Sequence, residues 1–204
     1  MKCIITGHST GIGKALYTYF SNKGWNVIGM SRSNGYNIVS DIEKIVAESV
    51  GTDLFINNAS DGDAQLNLLR RLSTKVSNIV TMGSAGTEFT EIWGKQYTLD
   101  KKALEEKFKL ISMDTSVANM LLLKISFAET THSRMKENRI DSDFTISYDE
   151  IATAIEFWLE NPNIRQIDFA LKLTPYTIDQ VKLLSGKDDL VDRLLLDIEN
   201  EIKK

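Results

Sequence analysis

Short apolar runs alternate along the chain with stretches of helical periodicity. Lys2-Cys3-Ile4-Ile5-Thr6 is a compact apolar run, the pattern of a strand buried on both faces. After a glycine-rich turn, Ile12, Ala15, Leu16, Tyr19 and Phe20 recur on one face of a helix. Trp25 to Met30 predicts a second strand, and Asp41 to Val50 a short helix with Ile42, Ile45 and Val46 inward. Asp53 to Asn57 predicts a third strand, and Ala64 to Lys75 a helix with Leu66, Leu69 and Leu72 apolar. Asn78 to Gly83 predicts the next strand, and Gln96 to Asp114 a long helix with Leu99, Ala103, Leu104, Phe108 and Ile111 on its apolar side. Met120 to Ser126 is a continuous apolar strand. Ser147-Tyr148-Asp149-Glu150 is a capping box opening a helix through Glu160, and Ile164 to Leu171 predicts the last strand. Two helical segments follow Thr174-Pro175-Tyr176, the second with Leu190, Val191, Leu194, Leu195, Ile198 and Ile202 on one face.

Strand and helix in regular alternation predict an α/β fold, a doubly wound parallel sheet with helices on both faces. With 204 residues and no linker or low-complexity stretch, a single domain is expected, carrying a helical extension over about 174–204. Hydrophobic content of 42% and charged content of 25% are ordinary for a globular protein, and a net charge of −4 gives no reason to expect nucleic acid or a membrane surface. The lone Cys3 excludes an internal disulfide, and two histidines beside it offer no metal cluster. No apolar run reaches the ~18–20 residues of a membrane span, and Met1 leads directly into the first strand, so a cytoplasmic protein without a signal peptide is expected.

In such sheets, ligands gather at the carboxyl ends of the strands. Gly7-His8-Ser9-Thr10-Gly11-Ile12-Gly13 lies between the first strand and the first helix. Glycines there permit a tight turn and close backbone approach to a pyrophosphate, and the helix N-terminus offers free N–H groups to that anion. The spacing is G-x-x-x-G-x-G rather than G-x-G-x-x-G. Ser31-Arg32-Ser33 follows the second strand, where an acidic residue would select NAD by bonding the ribose hydroxyls. An arginine can instead pair with a 2′-phosphate, so Arg32 beside Ser31 predicts NADP(H) in preference to NAD(H).

Tyr97 and Lys101 stand four residues apart, and Ser84 lies thirteen residues before the tyrosine. A phenol loses its proton only near pH ~10. A lysine one helical turn on projects from the same face, and its charge is expected to favour the phenolate. Tyr97 could then exchange a proton with an alcohol or carbonyl near neutral pH while Ser84 holds the substrate oxygen.

Taken together, Thr6-Gly7-x-x-x-Gly11-Ile12-Gly13, Asn57-Asn58-Ala59, Ser84 and Tyr97-x-x-x-Lys101 resemble the short-chain dehydrogenase/reductase family over roughly residues 1–170. The resemblance implies hydride transfer between a nicotinamide and a carbonyl or alcohol, with Ser84, Tyr97 and Lys101 catalytic. It implies cofactor contacts from Gly7, Ser9, Thr10, Gly11, Ile12, Gly13, Ser31, Arg32, Asn57, Ala59, Tyr97 and Lys101. Asp41 is similar to the family's adenine-binding aspartate, and a helix N-cap explains it nearly as well. Asn58 reads as structural, and its sequon Asn58-Ala59-Ser60 as coincidental.

Three features depart from that family's pattern. The segment between Asn58 and Ser84 holds only one compact helix, with Asn67 as candidate for the relay asparagine and an exposed helix position as the alternative. The Pro-Gly after the sixth strand is absent, leaving Thr130, with Thr131 a close rival, for the carboxamide contact. Residues 129–147 are polar and predict a substrate lid. A homodimer through the long Tyr97 helix fits the family, whereas the shortened neighbour helix argues against its usual tetramer. These departures also leave open a different class of function, a cofactor-binding sensor with little turnover. A sugar-nucleotide epimerase would need a larger C-terminal substrate domain than about 30 residues supply.

Overall fold

The structure is a computed structural model that describes residues 1–89, 95–126, 128, 146–169, 178–179, 182 and 186–203. Its apolar runs form strands sandwiched between helices. In chain order the elements are β1 (Lys2–Thr6), α1 (Gly11–Asn22), β2 (Asn26–Met30), α2 (Ile42–Ser49), β3 (Leu54–Asn57), α3 (Ala64–Leu72) and β4 (Asn78–Ser84). They continue with α4 (Lys95–Ile111), β5 (Asn119–Ile125), α5 (Tyr148–Glu160), β6 (Gln166–Phe169) and α6 (Asp188–Ile202). Short 3₁₀ turns cover Arg32–Asn34 and Ala85–Phe89.

The strands lie in the order β2-β1-β3-β4-β5-β6, and each of the five neighbouring pairs is parallel. The winding reverses between β1 and β3, so the loops after those strands open onto one crevice. Strand side chains alternate between two cores. Cys3, Ile5, Leu54, Ile56, Leu121 and Leu123 face α1 and α5, packing with Leu16, Phe20, Ile155 and Trp158. Ile4, Phe55, Ile79, Met120 and Leu122 face α2, α3 and α4, packing with Ile45, Leu69, Leu104 and Phe108. Burial on both faces is why these strands read as continuous apolar runs.

The capping box of α5 is formed as the sequence predicts: Ser147 Oγ accepts from the Glu150 N–H at 3.2 Å, and Glu150 returns a bond to the Ser147 N–H at 2.8 Å. The last strand is shorter than the span 164–171 expected, because Ile164 instead offers its carbonyl to Trp158 Nε1 at 2.9 Å. Residues 170–171 lie outside the described residues. On α6, Val191 is buried while Leu196 is exposed, so the predicted face is the less exposed one.

Helix α4 differs from the sequence reading. Leu99 is 52% exposed and Ala103 is also exposed, although both were expected inward. The covered face carries Thr98, Lys101, Leu104, Glu105 and Phe108. Polar side chains with buried partners, rather than apolar periodicity alone, set the rotation of this helix. No helix among the described residues is long and apolar enough to cross a membrane.

Candidate active site

The glycine loop is built by close contacts that exclude larger residues. Gly7 has φ +70° and Gly11 φ +53°, both in the left-handed region. A Cβ on Gly13 would stand 2.2 Å from the Gly7 carbonyl oxygen and 2.8 Å from Asn58 Nδ2, so α1 can approach the loop only without a side chain there. At the entry of α1, Thr10 has extended backbone (φ −147°, ψ 166°) and makes no capping bond with its side chain; Ser9 and Thr10 are exposed. The first-turn N–H groups of Gly11, Ile12 and Gly13 have no helical acceptor by geometry, and no acidic side chain occupies that turn. This is a cradle that fits a dinucleotide pyrophosphate.

The Asn57-Asn58-Ala59 segment is knitted to the end of β1. Thr6 Oγ1 accepts from the N–H groups of Asn58 and Ala59, both at 3.0 Å, and Asn58 Nδ2 donates to the Thr6 carbonyl at 2.9 Å. Asn58 thus braces the loop, as expected. Asn57 is fully buried, and its Nδ2 donates to the Gln65 carbonyl at 2.8 Å, holding β3 to α3. Ala59 is half-buried against the α2–α4 core.

At the end of β2, Ser31 is buried and committed to its own turn: its N–H donates to Asn34 Oδ1 at 2.8 Å, and its hydroxyl lies 2.7 Å from that of Ser33. Arg32 is exposed and makes no hydrogen bond or ion pair among the described residues. The ring of His8 lies against Gly29, where a Cβ would come within 2.1 Å of it, and the Gly7 N–H donates to the Met30 carbonyl at 2.7 Å. Both contacts hold this strand end against the glycine loop. Asp41 occupies the N-cap position of α2, but its side chain makes no cap bond; it accepts from the Asn37 N–H at 2.7 Å instead.

Beyond β4 the structure brings Ser84, Tyr97 and Lys101 together. Ser84 ends the strand, its Oγ accepting from the Gly86 N–H at 3.2 Å, and its side chain lies near enough to the Tyr97 hydroxyl to favour the phenolate. Lys101 Nζ lies 5.6 Å from the centre of the Tyr97 ring. It donates to Gln65 Oε1 and to the Met82 carbonyl, each at 2.7 Å. Gln65 in turn donates through Nε2 to the carbonyls of Asn57, at 2.6 Å, and Met82, at 3.1 Å.

This wiring decides between two readings and corrects a third. Gln65, buried on α3, holds Lys101, and Asn67 is a half-exposed helix position with no side-chain hydrogen bond among the described residues, which agrees with the exposed-helix alternative. And the Tyr97 hydroxyl is held above the ordinary phenol value rather than below it. Although 53% of the residue is exposed, desolvation at its hydroxyl end is the main cause; the neighbouring Ser84 side chain opposes it, and the negative charge of Glu105 adds to it. Lys101 is not among the influences because, with its own pKa at about 8, it has lost its proton before the phenol titrates. Burial pulls the Lys101 pKa down to that value, with Glu105 acting in the opposite direction.

Sequence reasoning missed Gln65, Glu105 and Lys124. The last had a legible signal, a lysine inside an otherwise apolar strand. Thr130, Thr131 and most of the expected lid fall outside the described residues. Among the described residues, no cluster of side chains could hold a metal ion.

No family model matches the chain, and no curated protein matches it in sequence. Solved structures do match. A short-chain dehydrogenase/reductase, glucose/ribitol dehydrogenase, from Brucella melitensis superimposes with a TM-score of 0.64 at 17% identity, covering 85% of this chain and 97% of that one. A 3-ketoacyl-(acyl-carrier-protein) reductase from the same organism, solved with NADH, gives 0.63 at 15% identity, over 82% and 96%. A small-chain dehydrogenase solved with NADPH gives 0.66 at 13% identity, over 82% and 95%. The chain therefore has the fold of the short-chain dehydrogenases and reductases, a parallel α/β sheet.

Proposed function

We propose that the protein is an NADP(H)-dependent oxidoreductase acting on a small carbonyl or alcohol, with Ser84, Tyr97 and Lys101 as its proton-transfer group. The observation that carries this reading is the neighbouring Ser84 and Tyr97 hydroxyls with Lys101 beside them, at the same carboxyl end of the parallel strands as the glycine cradle. The solved neighbours that bind NADH and NADPH support a nicotinamide cofactor here.

Gly7, Ser9, Thr10, Gly11, Ile12 and Gly13 would hold the pyrophosphate, and Arg32 would read the 2′-phosphate from the end of β2. Asp41 and Ala59 would border the adenosine side, with the fully buried Asn57 supporting that wall from behind rather than touching the cofactor; Thr130 would meet the carboxamide, and Tyr97 and Lys101 would hold the nicotinamide ribose. The bound nicotinamide supplies or accepts the hydride. Ser84 orients the substrate oxygen with its hydroxyl, and Tyr97 gives it a proton or takes one from it. Lys101, held by Gln65, keeps positive charge near that exchange.

The high proton affinity of Tyr97 favours the reductive direction, in which the phenol is the donor. The same feature, with two Lys101 protons engaged by Gln65 and Met82, also supports a cofactor sensor with little turnover. Titrating the protein with NADPH and NADH, read by energy transfer from tryptophan to nicotinamide, followed by a carbonyl screen, separates these readings. Selective NADPH binding with turnover supports the reductase; binding without turnover across the screen supports the sensor; no binding removes both. Leu99, Ala103, Leu110 and Met113 form an exposed apolar line on and just beyond α4, through which a homodimer would pack. Sedimentation of wild type against Leu110→Glu tests it.

A further inference from the structure

Behind Ser84 lies a cluster of buried charge that the proposed reaction does not use directly. Glu105 exposes 6% of its surface and Lys124 only 5%. Glu105 Oε1 accepts from the Ser84 backbone N–H at 3.0 Å. Its Oε2 stands 2.8 Å from Thr87 Oγ1 and 3.4 Å from Lys124 Nζ. Thr87 Oγ1 is also 2.8 Å from the Ser84 carbonyl, so its single proton serves one of the two acceptors at a time. Lys124 forms a second ion pair with Glu88 from the turn that follows β4.

The local backbone shows why a carboxylate sits there. β3 pairs with β4 only as far as Asn57–Thr81, so the last residues of β4 have no strand on that side. The Ser84 N–H takes Glu105 in place of a strand carbonyl. Gly83 makes the room: a Cβ on it would stand 2.9 Å from Glu105 Oε1 and 3.0 Å from Leu122 Cδ1. A buried carboxylate without a countercharge is costly, and Lys124, inserted in an apolar strand, supplies that charge. Ion pairs of this kind are often replaceable by apolar side chains without loss of stability, so packing alone does not call for one. An apolar pair would leave the Ser84 N–H without its acceptor.

We propose that Glu105 is a positioning residue that fixes Ser84 through its backbone N–H and the Thr87 hydroxyl, with Lys124 as its seated countercharge. The proposal rests on reading Ser84 and Tyr97 as the proton-transfer pair. The charged and titratable groups facing Glu105 are Lys101 and Tyr97 from its own helix, Lys124 from β5, and Glu88 through Lys124. Its negative charge raises the proton affinity of Tyr97 and of Lys101.

The test uses Glu105→Gln, which keeps an acceptor for Ser84 but removes the charge, and Glu105→Ala, which removes both. Tyr97 is titrated by phenolate absorbance, as the difference between each protein and the same protein carrying Tyr97→Phe. The Tyr97 titration moves to lower pH in Glu105→Gln, and the pH profile of turnover moves with it. In Glu105→Ala, kcat falls at least about tenfold with KM changed less, and Glu105→Gln recovers part of the loss. An unmoved Tyr97 titration in Glu105→Gln, or kcat within about twofold of wild type in a folded Glu105→Ala, overturns the proposal. Should Glu105→Ala not fold, the Glu105→Gln titration decides. Should wild type reduce none of the carbonyls offered, the functional reading fails separately: a shifted Tyr97 titration still supports the Glu105 assignment, and an unshifted one overturns it.

Discussion

Gln65 Oε1 accepts a hydrogen bond from Lys101 Nζ at 2.7 Å, joining α3 to α4 beneath the end of β4. Replacing Gln65 by Leu keeps the volume but removes this acceptor and the donors to Asn57 and Met82. Left with fewer partners, the buried groups should cost about 3 kcal/mol of stability, with turnover reduced as Lys101 loses its anchor. Asn67→Ala should stay within about 1 kcal/mol of wild type. Chemical denaturation of both variants, beside a turnover assay, checks whether α3 acts through Gln65 or Asn67.

Tyr97→Phe removes the phenolic proton and the hydroxyl beside Ser84. Turnover should drop ~10²–10⁴-fold while NADPH affinity and melting temperature change little. Wild-type turnover in this variant would sink the proton-donor role.

Lys101 is buried, and its pKa is pulled down to about 8 from the ordinary 10.5. Between those values the unfolded chain binds more protons than the folded one, so this residue's contribution to stability rises with pH. Below about pH 8 the full cost of the buried charge is present; by pH ~10.5 it is largely relieved, a swing of about 3 kcal/mol. Denaturation of wild type and Lys101→Met across this range should show the difference moving in favour of wild type as pH rises. A pH-independent difference would mean that Lys101 titrates alike folded and unfolded.

Arg32 is exposed beside the crevice and makes no ion pair among the described residues. Arg32→Ala should weaken NADPH binding by ~10–100-fold and leave NADH binding near wild type, since charge-assisted bonds to a phosphate are worth ~1.5–3 kcal/mol. Equal losses for both nucleotides in fluorescence titrations would remove the 2′-phosphate role.

Gly13→Ala places a methyl group 2.2 Å from the Gly7 carbonyl oxygen. The loop and α1 must separate, at a cost of about 1–3 kcal/mol, and the cradle should lose most of its cofactor affinity. Denaturation together with NADPH titration checks both effects; undiminished binding would show that the loop does not hold the pyrophosphate.

The alternation of apolar runs was sufficient to read the parallel sheet, because β1, β3 and β5 are buried on both faces and nearly every residue in them must be apolar. The glycine loop was equally legible, since positive φ at Gly7 and Gly11 and the crowding at Gly13 restrict residue type locally. So was the capping box of α5, formed within four consecutive residues. Periodicity failed on α4. Leu99 and Ala103 turn outward because Lys101 and Glu105 on the opposite side reach acceptors and donors at Gln65, Met82, Ser84 and Thr87. Gln65 went unnoticed for the same reason: its partner Lys101 lies 36 residues away. The direction of the Tyr97 shift also depended on tertiary contacts, because burial raises the phenol and lowers Lys101 to about 8, so the lysine has lost its charge before the phenol titrates. Local sterics and burial act between neighbours in sequence and can be read there. Which buried polar groups meet is decided only when the sheet and helices close, since each must then find a partner among whatever the fold brings within hydrogen-bond reach.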